Sequence, residues 1–184
     1  MSHLILYIAC SLDSYIARPD GSVGRLDPFN QAGGEDYGYG ELLRRCGAII
    51  MGAKSYRQVL TFGPWPYTGI PCYVLTHRPP AVLADPQVHP YAGSLAALVR
   101  KLKKTADGDA PAKDIWLVGG AQVAGQFVGK GLVDEYIISI IPMLLGRGVP
   151  LWLETGPERK LKLLGVKSYP SGVVQMRYGG GGSG

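Results

Sequence analysis

Residues 114–128, DIWLVGGAQVAGQFV, constrain this chain's fold more than any other stretch. A short apolar run, Ile115 to Val118, stops at Gly119-Gly120. Val123, Ala124, Phe127 and Val128 then recur at helical spacing. A strand ends, two glycines turn the chain, and a helix begins. Glycines lack Cβ, so a ligand can approach that backbone closely. The new helix presents unpaired N–H groups and the positive end of its dipole there, which suits a phosphate. A lone Gly-Gly could equally be a tight turn, so its neighbours decide its meaning.

The same grammar recurs along the chain. Leu4–Ala9, Ala48–Met51, Cys72–Thr76 and Glu135–Ile141 are apolar runs of strand length without alternation. Such runs suit strands buried on both faces of a mostly parallel sheet. Helices are predicted over 35–45, from Ser55, over 94–104 with Ser94 as N-cap, and over 121–128. Leu161–Val166 and Val173–Tyr178 read as an antiparallel hairpin closing the sheet. The expected architecture is α/β in three layers, with helices on both faces of a central sheet. Residues 1–178 form one domain on this reading, and Gly179–Gly184 (GGGGSG) form a flexible tail outside it.

Composition excludes several classes. Hydrophobic residues make up 46% and charged residues 18% of 184, a globular profile. No apolar run approaches the roughly 20 residues of a membrane helix. The start, MSHLILYIACSLD, reads as a first core strand and not a signal peptide. Cys10, Cys46 and Cys72 sit in or beside apolar runs without CxxC spacing. They read as buried reduced thiols of a cytoplasmic protein, with no metal site. The net charge is +5. Its clusters, Arg100-Lys101-Lys103-Lys104 and Arg159-Lys160-Lys162, are short and lack interleaved aromatics. They read as a solvated helix face and a solvated turn, with no nucleic-acid partner.

Two further strand ends carry phosphate-compatible groups. Gly52-Ala53-Lys54-Ser55 follows the first of these strands, with close backbone access, a cation and a hydroxyl at a helix start. Thr76-His77-Arg78 follows the other; its hydroxyl, imidazole and guanidinium could hold an adenosine 2′-phosphate or simply form a polar loop. Ligands of open parallel sheets bind at the strands' carboxyl ends. Neither GxGxxG after the first strand nor GxxxxGKS/T is present.

In order, SLDSYIA (11–17), MGAKSY (51–56), FGPWPY (62–67), YVLT (73–76), IWLVGGAQV (115–123), LVDEY (132–136) and PMLLGRGVPL (142–151) stand between Leu4 and Tyr178. In these motifs the chain resembles dihydrofolate reductase-like proteins. It is most similar to the branch containing the reductase domain (RibD C-terminal domain) of bacterial riboflavin biosynthesis. The resemblance implies an NADPH-dependent oxidoreductase acting on a small heterocyclic or carbonyl substrate. It places Ala9 and Ile16 at the nicotinamide, and Lys54, Ser55, Thr76, His77 and Arg78 around the adenosine half, with Gly52 as a further cofactor-binding residue. Gly119, Gly120, Ala121, Gln122 and Val123 would seat the pyrophosphate. Asp36, sixteen positions before Gly52, matches the family's active-site carboxylate. In an apolar cleft its pKa could rise and let it relay a proton; Glu35 is the alternative acid, and helix capping the plain one. Asp13 is a second acidic candidate, with a structural turn residue as its plainer reading. Trp65 and Tyr67 lie in the substrate loop and could stack on a flat ring or pack within the loop. Ile140–Leu151 matches a region that helps form a homodimer in this branch.

Three departures narrow the reading. Gly40 replaces the aromatic that folate binders carry one turn after the acid. Ile70, after Gly69, leaves no cation for a folate tail. Ile138 stands at the expected position of the threonine that orients the acid. Dihydrofolate reduction is therefore disfavoured. A standalone ribosylaminopyrimidine reductase is the runner-up, although the zinc motif of the fused deaminase is missing. A non-catalytic binder on the same fold is the alternative of another class.

Overall fold

The computed structural model describes residues 1–24, 29, 35–105, 113–153 and 155–180. Among the described residues, ten strands run in chain order: β1 (Leu4–Ser11), β2 (Tyr15–Ala17), β3 (Cys46–Gly52), β4 (Cys72–Leu75), β5 (Val88–Tyr91), β6 (Asp114–Gly119), β7 (Glu135–Ile141), β8 (Val149–Pro150), β9 (Leu161–Ser168) and β10 (Val174–Gly180). The helices whose bounds fall within the described residues are α1 (Tyr39–Arg45), α2 (Ala53–Val59), α3 (Leu95–Thr105) and α4 (Ala121–Gly129). The main sheet has the order β5-β4-β3-β6-β1-β7-β10-β9. Its first six strands are parallel, and β10 runs antiparallel to both its neighbours, β7 and β9.

The unalternated runs are explained by burial on both faces. In β1, Leu4 and Leu6 join one core and Ile5 the other; in β3, Ala48 and Ile50 oppose Ile49 and Met51. α3 (Leu98, Val99, Leu102) and α4 (Ala124, Phe127, Val128) cover the first face. α1 (Leu42) and α2 (Tyr56, Val59) cover the second. The three-layer expectation thus holds, with helices on both faces and the antiparallel hairpin at the sheet's end.

The structure departs from the sequence reading in several places. α1 begins at Tyr39, not Glu35, because Tyr37 (φ 53°) and Gly38 (φ 85°) adopt left-handed conformations that a helix cannot include. β5, reading VHPY, is an additional edge strand; its proline is tolerated there because an edge residue needs no ladder donor. β2 and β8 form a small second sheet. β10 runs two residues into the expected tail, and 181–184 lie outside the described residues. Arg159, Lys160 and Lys162 are exposed, as expected; the Arg159 guanidinium in addition donates to Val128 O (2.6 Å) and Gly129 O (2.8 Å), closing the C-terminus of α4. In the other cluster Lys103 pairs with Asp134 at 2.5 Å.

The 140–151 segment is partly bound into its own chain. Leu151 is buried and β8 pairs with β2, whereas Leu144 is exposed. Asp13 is a clamp for this segment: its carboxylate accepts the Ser11 hydroxyl (2.6 Å) and the N–H groups of Leu145 (3.1 Å) and Gly146 (2.7 Å). Cys10, Cys46 and Cys72 are buried thiols, none in a disulfide. Among the described residues, no helix is long and apolar enough to cross a membrane.

Candidate active site

The sheet order makes β4, β3 and β6 neighbours, so their carboxyl ends stand side by side. Gly52 pairs with Leu75, and Met51 with Gly119. A Cβ on Gly52 would lie 2.9 Å from Val123 Cγ2, and one on Gly120 would lie 3.2 Å from Ser55 Oγ. The Ser55 hydroxyl donates to Gly119 O at 3.2 Å. Gly119 (φ 92°) and Gly120 (φ 60°) make the turn in a region L side chains rarely adopt. No side chain caps α4, so the N–H groups of its first turn, from Ala121 to Val123, stay open. Gly52, Ser55, Gly119, Gly120 and Val123 therefore form one cradle.

Beside the cradle, Thr76 follows the end of β4. Its hydroxyl donates to Arg78 O (2.9 Å) and accepts from Arg78 N–H (3.0 Å), so it shapes the turn that carries His77 and Arg78. Lys54, His77, Arg78 and Gln122 are exposed around the cradle.

An apolar cavity of about 690 Å³ adjoins it. Ser55 and Gly120 line both, and Ala9 and Ile16 line the cavity floor. Gly52, Lys54, Thr76, His77, Arg78 and the 121–123 turn lie outside that lining, on the strand-end side. One wall is aromatic. Trp116 meets Tyr67, Tyr39 and Tyr7 edge to face, with centroids 5.4, 5.7 and 6.3 Å apart. Burial pushes the phenols of Tyr7 and Tyr67 well above the usual tyrosine range, so both stay neutral donors. Tyr67 thus faces the cavity, whereas Trp65 does not line it. Trp65 sits behind, 5.5 Å from Tyr56 and 5.1 Å from Tyr67, where it packs within the loop.

Asp36 and Glu35 lie at the cavity's rim. The expected rise in the Asp36 pKa is overturned. Its oxygens accept the N–H groups of Gly38 and Gly40, each at 2.9 Å, and these bonds hold the exposed carboxyl below its ordinary range. Asp36 is an ionised cap of α1. Gly40 gains a reason for being glycine, since a Cβ there would lie 2.9 Å from Asp36 Oδ2. Ile138 is also corrected: its side chain belongs to the core, and the next residue, Ser139, faces the cavity.

A polar network behind Ser139 escaped the sequence reading. Gln175 Nε2 donates to Ser139 Oγ (3.0 Å) and to Tyr37 O (2.9 Å). The Tyr7 hydroxyl reaches Tyr37 O at 3.3 Å, and the Tyr169 hydroxyl donates to Gln175 Oε1 at 3.4 Å. The signal available was Ser139 itself, a lone polar residue inside EYIISII.

The chain and its fold match one family. Its model, described as the RibD C-terminal domain, matches residues 2–175. The chain belongs to the RibD C-terminal domain family. Two Bacillus subtilis proteins are similar over nearly their full lengths. YwjB is 36% identical over 175 residues, covering 95% of each chain. YyaP is 32% identical over 187 residues, covering 95% of this chain and 93% of its own. Among solved structures, a "Putative riboflavin biosynthesis protein" from Shewanella sp. PV-4 superposes with a TM-score of 0.83 at 27% identity, covering 96% of this chain and 98% of that one. The fold is shared with Acinetobacter baumannii RibD (TM-score 0.70, 19% identity), where 97% of this chain covers 58% of that chain. A pyrimidine reductase-like protein of Corynebacterium diphtheriae shares it too (TM-score 0.68, 16% identity, 99% and 93% covered). The family is one of reductases, and its fold accounts for the parallel sheet, the strand-end cradle and the closing hairpin.

Proposed function

We propose that this protein is an NADPH-dependent reductase of a small heterocyclic or carbonyl substrate. The observation that carries the reading is the continuity of a glycine-lined cradle with an apolar cavity through Ser55 and Gly120. The cradle fits a dinucleotide: added Cβ atoms would fill it, and the uncapped start of α4 offers N–H donors to a pyrophosphate. Lys54 and Arg78 supply cations, and His77 an imidazole, for the adenosine side and its 2′-phosphate. When bound, the nicotinamide supplies the hydride.

The chain's own residues orient and enclose. Ala9 and Ile16 leave room for a flat ring on the cavity floor. The Tyr7, Tyr67 and Trp116 wall excludes water and stacks against a planar substrate. Ionised Asp36 at the rim attracts an amino or cationic group of the substrate, and the proton that completes the reduction comes from water. Reduction of a ribosylaminopyrimidine is the second reading, favoured by the family.

Calorimetric titration with NADPH and NADH tests this directly. NADPH binds the wild type, and Lys54→Ala and Arg78→Ala each weaken it by about tenfold. NADH, which lacks the 2′-phosphate, is less affected by Arg78→Ala. Binding of neither dinucleotide by the wild type would refute the proposal.

A further inference from the structure

The hydrogen-bond arithmetic around Ser139 determines what the cavity asks of its substrate. Ala9, Ser139 and Gln175 pair directly across β1, β7 and β10, so they form one row on the cavity face of the sheet. Ala9 is small and leaves space beside Ser139, while Gln175 reaches over from the other side. Both polar side chains sit on nearly fully buried residues, 6% exposed for Ser139 and 7% for Gln175.

The orientation of the Gln175 amide is fixed by chemistry. Tyr37 O is a carbonyl and can only accept, so the Gln175 atom 2.9 Å from it is the NH2 group. That nitrogen has no lone pair to offer, so Ser139 Oγ, 3.0 Å away, accepts from it. The Tyr169 hydroxyl holds the amide oxygen on the far side. Tyr37 is held at φ 53°, a conformation uncommon for a non-glycine residue, and its carbonyl also receives the Tyr7 hydroxyl.

The Ser139 proton therefore has no partner in Gln175. The backbone carbonyls of β7 serve the ladders to β1 and β10 on either side. The open direction is the cavity that Ser139 lines. A buried hydroxyl donor left without an acceptor is costly, so a ligand that supplies one gains selectivity there. The cavity's charged lining residues among those described are Glu35 and Asp36, with no cation, which disfavours an anionic acceptor.

We propose that Ser139 donates a hydrogen bond to an uncharged acceptor of the substrate, a carbonyl oxygen or unprotonated ring nitrogen, and that Gln175 positions it. This rests on the reductase reading for its meaning in turnover but not for its test. The probes are 1-indanone and indane, which share a bicyclic frame and differ in one carbonyl; their binding is measured by calorimetry alongside NADP⁺. The wild type is expected to prefer 1-indanone about tenfold. Ser139→Ala abolishes that preference and Ser139→Thr restores it. Gln175→Met weakens 1-indanone several-fold and leaves indane unchanged, whereas loss of mere packing support would weaken both. Equal binding of the two probes by the wild type, binding of neither, or a preference surviving Ser139→Ala would each overturn the inference. Failure of NADP⁺ to bind while the preference persists would count against the reductase reading alone.

Discussion

Replacing Gly120 with alanine tests the central turn. Gly120 sits at φ 60° and ψ 147°, outside the conformations that side-chain-bearing residues populate. Holding alanine there costs about 1–3 kcal/mol. The new Cβ would stand 3.2 Å from Ser55 Oγ, closer than ordinary contact. Ser55 must then retreat and loosen its bond to Gly119 O, a loss of about 1 kcal/mol. The two effects together come to about 2–4 kcal/mol. With a urea slope of about 2 kcal/mol per molar, the unfolding midpoint falls by roughly 1–2 M. A fold with about 5–15 kcal/mol to spare survives this, so dinucleotide binding remains measurable in dilute buffer. It should fall further than in Ser55→Ala, which removes the hydrogen bond without the strain. A Gly120→Ala midpoint equal to that of Ser55→Ala, with unaltered NADPH affinity, would refute both the strained turn and the cradle.

Two further outcomes follow from the same geometry. Asp36 is ionised throughout the neutral range, since its folded pKa lies below the ordinary 3.8. Its stabilising effect is therefore present above that value and is lost as pH falls through the folded pKa. Asp36→Asn should leave the shape of the pH–rate profile between about pH 5 and 8 unchanged, and its urea stability should converge with the wild type in acid. Disappearance of a limb in that range would return Asp36 to the role of titrating acid. Arg159→Ala should destabilise the protein by about 1–2 kcal/mol in denaturant titrations, because the last carbonyls of α4 lose a charged donor; no change would show that water caps the helix equally well.

The parts of the fold legible in the chain were those with local causes. Glu135–Ile141 was bounded to the residue because the apolar run ends where a two-faced core ends. Gly119-Gly120 was legible because a strand period gives way to a helix period at two residues without side chains. β5 was not, since an edge strand needs little apolar surface and its proline argued against a ladder. The β2–β8 pair was hidden for a different reason: two or three residues matched across the chain carry no periodicity.

At the site, residue identity determined the kind of chemistry available: glycines at strand ends, cations beside them, aromatics in the covering loop. Which of those residues share a space was decided only by the tertiary structure. Strand order put β4, β3 and β6 together, while side-chain packing within one loop left Tyr67 facing the cavity and Trp65 behind it. The state of Asp36 was likewise tertiary in origin. Burial would have raised its pKa, but the left-handed turn at Tyr37-Gly38 aims two backbone N–H groups at its oxygens and leaves it exposed. Ser139 shows the limit most clearly. Its place in an apolar run was visible, but the direction of its proton depends on Gln175 from another strand and on the Tyr37 carbonyl from a loop. Hydrophobic period acts along a few neighbouring residues and can be read in order; hydrogen-bond direction depends on groups that meet only when distant segments pack.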